Sequence, residues 1–399
     1  MKRSLAHRHG SEAGIALPMT LILMMLVTAL TVAFLAFTST EPVIAANQMA
    51  NAQARAIAES GVERALWALT KGDSDPAAVG AIPNPLPNPP TADAPYNGGT
   101  FFNVAGGQVK VTVTNGAASN ERIIEAVGYV PNAASPLAIK KIQTVVTRIK
   151  KLNPPCALCA GGEAPLGITT NVRIGGSASI SAARMGDNYC SDVVPQAAAY
   201  SAGAINTNGN PTITGPSGGS GMMTNQPQSN FTDFLLTDND MATLKALAKA
   251  NGTYYQGSQS WNAPPPNGII FVDTPSGNPL GPLSPSSDLI TVDIHGNWSQ
   301  GWNGWLVVAG SIAISGNVTM SGLIYSQNDI DLHGAGGGSL TGAIVSTNRV
   351  DTQSTNVDTE DIGNAPINYD CNLVRNGGGV IPQNWTVKPG TFRDLAGTS

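Results

Sequence analysis

Hydrophobic positions change their rhythm three times along this chain. From Gly14 to Phe37 the sequence GIALPMTLILMMLVTALTVAFLAF carries no charge, with Glu12 before it and Glu41 after. As a helix, residues 15–37 extend about 34 Å, enough to cross a hydrocarbon core of roughly 30 Å. The run is too long for the hydrophobic segment of a cleavable secretory signal, roughly 7–15 residues. Pro18 costs little in the first turn of a helix, whose N–H groups lack partners anyway, so the helix is predicted to begin just before it. A helical stripe then continues: Ile57, Gly61, Ala65 and Leu69 recur at i+4, Val62 and Leu66 broaden it, and Arg55 and Glu59 form an i,i+4 pair on the other side. The helix is predicted over 15–72, kinked at Pro42, with Lys71, Gly72 and Asp73 ending it.

After a Pro-rich loop from Ala81 the period falls to two. Val109, Val111 and Val113 alternate with polar residues, Asn115-Gly116 signals a turn, and RIIEAVGYV and AIKKIQTVVTRIK follow. This predicts an antiparallel meander over 73–150 that needs an apolar partner, and the stripe from Ile57 to Leu69 supplies one. A Cys-containing linker is expected at 151–167, followed by a β-rich domain over 168–399. Within it, GWLVVAGSIAISGNVTMSGLIYSQNDIDLHGAGGGSLTGAIVSTNRV sets short Val/Ile strands between Gly/Asn corners at nearly equal spacing. That text favours a β-solenoid over an antiparallel sandwich, which would read similarly. A helix near 237–251 interrupts it, with Asp238 or Thr237 as cap, Gly252 as stop, and Met241, Leu244, Leu247 and Ala248 on its buried side. The fold class is α+β: a long, partly transmembrane helix on a small antiparallel sheet, then a β-rich domain.

Composition agrees with many strands and turns. Charged residues are only 12%, against 45 Gly and 28 Pro among 399 residues. A net charge of −5 gives no general attraction to nucleic acid, and the cluster Lys140, Lys141, Arg148, Lys150 and Lys151 reads as the solvated side of a strand. Lys2, Arg3 and Arg8 lie close before the apolar run, which places the N-terminus in the cytoplasm and the rest outside. Cys156, Cys159, Cys190 and Cys371 all fall on that oxidising side, so two disulfides are expected, with all three pairings open. Pairing Cys190 or Cys371 with the Cys156/Cys159 turn would tie the β-rich domain to the first one.

A short basic leader ending in Gly, the run beginning IALPMTLILMM, the continuation AIAESGVERAL and the meander resemble a type IV pilin-class prepilin, most closely the PilX-type minor pilins. The resemblance covers roughly the first 150 residues. It implies cleavage by a prepilin peptidase after Gly14, N-methylation of Ile15, and packing of the helix inside a fibre. Its implied partners are major and minor pilins, the inner-membrane assembly platform and a tip adhesin, with residence in the bacterial inner membrane before assembly into a periplasmic or extracellular fibre. Most pilins carry Glu at the fifth mature position, where this chain has Met19. That departure suggests a minor, tip or initiating subunit. The alternatives are a tip pseudopilin of a type II secretion machine, or a membrane-anchored β-solenoid that scaffolds or binds glycans without a fibre.

Other constellations read more plainly. Cys156-Ala-Leu-Cys159 lacks the second pair or the His that a zinc site needs. Asp329, Asp331 and His333 are weak cation candidates, short of the 6–8 oxygens that calcium takes, and Asp238-Asn239-Asp240 is half such a loop. Trp298, Trp302 and Trp305 could present a surface-binding platform, although filling the β-core is the preferred reading. No hydrolase elbow and no phosphate loop is visible. The expectation is a non-enzyme without cofactor.

Overall fold

The computed structural model describes residues 16–118, 120–149, 152, 154–161, 170–183, 197–217, 220–231, 234–334, 337–350, 357–381 and 384–395. One helix, α1 (Ala16–Ser74), runs continuously through Pro42. Its first half is bare, and its second half lies on an antiparallel sheet of β1 (Asn97–Val104), β2 (Gly107–Asn115), β3 (Glu121–Val130) and β4 (Ala138–Arg148), paired in that order. The i+4 stripe becomes the seam between the two. Ala54, Ile57, Ala58, Val62, Ala65, Ala68 and Leu69 are buried against Val109, Val111, Val113, Ile124, Ala126, Ile142 and Val146. The small residues let the helix come close: a Cβ on Gly128 of β3 would overlap the carbonyl oxygen of Ala54. The outward side carries the Arg55–Glu59 pair at 3.0 Å.

This sheet is completed by the far end of the sequence. Strands Trp385–Val387 and Arg393–Leu395 both pair antiparallel with β4, and Trp385 enters the core beneath α1. The expected division at 168–399 is therefore corrected: the chain's last strands belong to the first unit, and everything between β4 and Trp385 is an insertion in it. The reason is the edge. Without these strands β4 would leave its outer N–H and C=O groups unpaired.

The inserted body consists of two sheets whose pairings are all parallel, and from Tyr254 to Tyr369 the chain passes alternately from one to the other. The strands Gly268–Asp273, Asn297–Val308, Asn317–Ser326, Ser339–Ser346 and Ile367–Tyr369 are successive neighbours in the larger sheet. Thr291–Ile294, Ser311–Ser315, Ile330–His333 and Thr359–Asp361 are successive neighbours in the second. The stack is not sequential at its end. Val172–Gly176 pairs with Thr359–Asp361, and Ser179–Ser181 pairs with Ile367–Tyr369, so the earliest strands cover the edge that the latest ones would leave open. At the other end the helix α2 (Asp238–Asn251) packs on Gly268–Asp273 and Tyr254–Gln256. Thr237 caps it: its hydroxyl accepts from the Asp240 N–H at 3.2 Å, and the Asp240 carboxylate accepts from the Thr237 N–H at 2.9 Å. Gly252 ends it with φ 71°.

Candidate functional site

Over Ala16–Leu35 the helix has a mean hydropathy of 2.2, and none of it is buried within the molecule. It is long and apolar enough to cross a membrane. Its hydroxyls are satisfied internally: Thr20 donates to the Leu17 carbonyl at 2.9 Å, Thr28 to Met24 at 2.8 Å and Thr31 to Val27 at 2.7 Å. Met19 is exposed on this stretch. Gly14 and Ile15 lie outside the described residues.

The tryptophans form no platform. Trp298, Trp302 and Trp305 are each 1% exposed, which agrees with the preferred core-filling reading and sets aside the surface platform. They lie on Asn297–Val308, where an irregularity in register between Trp298 and Trp302 bends the strand. Two of the indoles find acceptors inside: Trp302 donates to the Pro266 carbonyl at 3.0 Å and Trp305 to Val374 at 2.6 Å. Burying three large rings is worth more than displaying them.

The cysteines do not tie the two units together through the Cys156/Cys159 turn. Cys156 and Cys159 bond each other, closing a tight loop, and both are fully buried. The expected linker at 151–167 is also corrected. Leu158–Ala160 is a strand that pairs with Ser339–Ser346 and Ala197–Ser201, so this segment already belongs to the inserted body. Cys371, at the start of the helix α3 (Cys371–Asn376), is disulfide-bonded as well. Cys190 lies outside the described residues.

Asp331 and His333, two apart on Ile330–His333, project from the same face of the second sheet. His333 Nε2 lies 2.6 Å from Asp331 Oδ1. The neighbouring strand adds a residue that no local motif announced: Glu360, in register with Asp331, brings Oε2 to 3.8 Å from the same nitrogen. The three ligand atoms lie within 4.8 Å of one another. Arg173, next in that row, forms an ion pair with the other Glu360 oxygen. Desolvation raises the Asp331 carboxyl above its ordinary value, with His333 pulling the other way. Asp329 stands apart, its carboxylate 3.4 Å from Asn328 Nδ2. Asp240, of the half calcium loop, serves as the partner in the α2 cap.

A cleft of about 770 Å³ opens where the first unit meets the inserted body, lined by Asn84, Asn115, Asn120, Arg122, Arg148 and Asp240 among others. Arg148 holds Asp73 at 2.7 Å, while Arg122 donates to the Glu121 carbonyl at 2.6 Å and to Asn84. Desolvation, with Arg148 beside it, lowers the Arg122 pKa. Both guanidinium groups face the Trp385 ring, at 5.4 and 5.9 Å from its centre. The cleft's basic groups thus hold the returning C-terminal strand in place.

No protein-family model matches the chain. No curated protein matches it either. Among solved structures, the competence-associated pilin ComZ from Thermus thermophilus is similar at 13% identity and a TM-score of 0.24, over 87% of this chain and 96% of that one. At such a score the likeness carries no weight, and the functional reading rests on the chain's own residues.

Proposed function

We propose that this chain is a minor, pilin-like subunit of a type IV pilus-like fibre, placed at the tip or at initiation. It would sit in the inner membrane with its N-terminus in the cytoplasm, be cut after Gly14 by a prepilin peptidase, and be methylated at Ile15. The reading rests on one observation above the others. A helix that is bare and apolar over a membrane's thickness runs unbroken into a half that is buried on an antiparallel sheet. In a bilayer the bare half is solvated by lipid; in a fibre it packs against neighbouring helices through small and apolar side chains. The implied partners are major and minor pilins and the assembly platform. Met19, in place of the usual Glu, leaves no carboxylate to be paired with a neighbour's amine and suits a subunit that does not repeat along the fibre.

The inserted body reads as a β-solenoid whose first strands close over its last turn. Held at both ends by β4 and Trp385–Val387, it is carried by the pilin-like unit, and its proposed task is adhesion or the binding of a tip protein. The proposed role is assembly and presentation rather than catalysis.

The test is the mature N-terminus, read by mass spectrometry on protein from membranes and from sheared surface fibres, with and without the prepilin peptidase. Methylated Ile15 in the sheared fraction, dependent on the peptidase, is the expected result. An intact leader confined to membranes would overturn it in favour of an anchored β-scaffold.

A further inference from the structure

We propose that Asp331, His333 and Glu360 form a binding site for one divalent transition-metal ion of the zinc type, on the outer face of the second sheet.

Three features make this more than a surface ion pair. The first is convergence. One imidazole nitrogen, His333 Nε2, faces Asp331 Oδ1 at 2.6 Å and Glu360 Oε2 at 3.8 Å. A tetrahedral zinc with ligand bonds of roughly 2.0–2.1 Å requires ligand atoms about 3.3 Å apart. The two separations fall on either side of that value. A small side-chain rotation of Asp331 away from the nitrogen and of Glu360 towards it would bring both to the required spacing.

The second feature is the scaffold. Ile330–His333 and Thr359–Asp361 are hydrogen-bonded neighbours, and Asp331 and Glu360 are directly paired in register. The backbone spacing of the ligands is thus set by the sheet. The inward residues Ile330 and Leu332 are buried in the core, which fixes the outward direction of Asp331 and His333.

The third feature is the support of Glu360. Arg173, across the ladder, takes Oε1. That leaves Oε2 as the ligand atom and holds the carboxylate's orientation, the usual part of an outer partner in metal sites. Arg173 also offsets one of the two carboxylate charges before metal arrives.

The nitrogen decides the class of ion. Calcium and magnesium favour all-oxygen shells, whereas two carboxylate oxygens and an imidazole suit zinc, with water completing the shell. Three protein ligands leave at least one open position, and the ion would join two adjacent turns of the inserted body.

The test uses the full chain in detergent, stripped with a chelator and then dialysed against zinc chloride, with cobalt chloride as a spectroscopic probe. The proposal expects one equivalent of zinc, a visible cobalt absorption that excess zinc removes, and a rise in Tm with zinc. His333→Ala should weaken binding at least tenfold and abolish the Tm shift, and Glu360→Gln should weaken it likewise. His295→Ala should bind as the parent does, because His295 stands apart, near Asp293 at 3.3 Å. His333 and His295 are about 40% exposed while Glu360 is largely covered, so unchanged circular dichroism is the check on folding for each variant. Failure to retain zinc, or a stoichiometry and affinity unaffected by His333→Ala, would overturn the site.

Discussion

Asp361 is 1% exposed on the inner side of the strand whose outer side carries Glu360. One carboxylate oxygen accepts from the Gly363 N–H at 3.3 Å and the other has no partner, in a small cavity walled by Ile314, Leu332, Leu340 and Ala365. Desolvation pushes its pKa up from 3.8 to about 7, against a smaller opposing effect of the Gly363 hydrogen bond. Among the described residues, no other ionisable side chain lines that cavity. The folded state therefore prefers the neutral acid. Below about pH 4 both folded and unfolded chains hold the proton, and the group contributes nothing to the pH dependence. Between about 4 and 7 the unfolded chain releases it while the folded one keeps it, so stability falls as pH rises. Well above 7 the loss is complete, on the order of 4 kcal/mol. Asp361→Asn should remove this dependence and raise stability at pH 8, as measured by denaturant unfolding from pH 4 to 8 with chelator present. Parallel pH profiles for parent and variant would refute the assignment. The signal is local, but only burial gives it meaning: in the sequence Thr-Glu-Asp is an ordinary polar run.

At the scale of elements, the inserted body is kept in register by a column of glycines. Gly268, Gly304, Gly322 and Gly342 stand opposite one another on successive strands, with φ between 127° and 154°. That backbone is closed to side chains, and a Cβ on Gly322 would overlap the carbonyl oxygen of Gly304. Gly322→Ala should cost at least about 2 kcal/mol. Gly281→Ala, in open space with an ordinary φ, should stay within about 0.5 kcal/mol. Thermal unfolding of the two variants side by side checks this. Equal stabilities would mean that the column is incidental. The repeat of short strands and Gly corners was legible in the sequence because each turn reuses the same pattern. So was the α2 cap, since Thr237 and Asp240 sit at the spacing a capping box needs. The metal-type triad was half legible. Asp331 and His333 share a strand, but Glu360 joins them only through sheet register, which no spacing in the text reveals.

At the scale of the whole molecule, the two units are bound through the chain's return. Removing residues 384–399 would take Trp385 from the core of the first unit and expose the outer edge of β4. Truncating a buried Trp alone costs about 3–5 kcal/mol. Hydrogen exchange should then show lost protection at Val145–Thr147, while Leu306–Val308, inside the inserted body, keeps theirs. Loss of protection in both would mean that the two units unfold as one. The same topology makes the inserted body a passenger of the first unit, positioned by two covalent connections.

What the sequence determined by itself was whatever depends on near neighbours. An uncharged run has one solvent that suits it, an i+4 stripe has one side to bury, and alternating valines make a half-buried strand. These gave the long helix with its bare apolar half and the meander. The tertiary structure decided everything carried by distant partners. It turned the three tryptophans inward, two of them onto backbone carbonyls of distant segments. It closed Cys156 on Cys159 inside the body. It set the earliest strands over the latest ones, brought Glu360 beside His333, and returned Trp385 to β4. In each case the deciding term is an unpaired edge or an unburied surface far away in the chain, whose satisfaction leaves no mark on the local pattern of residues.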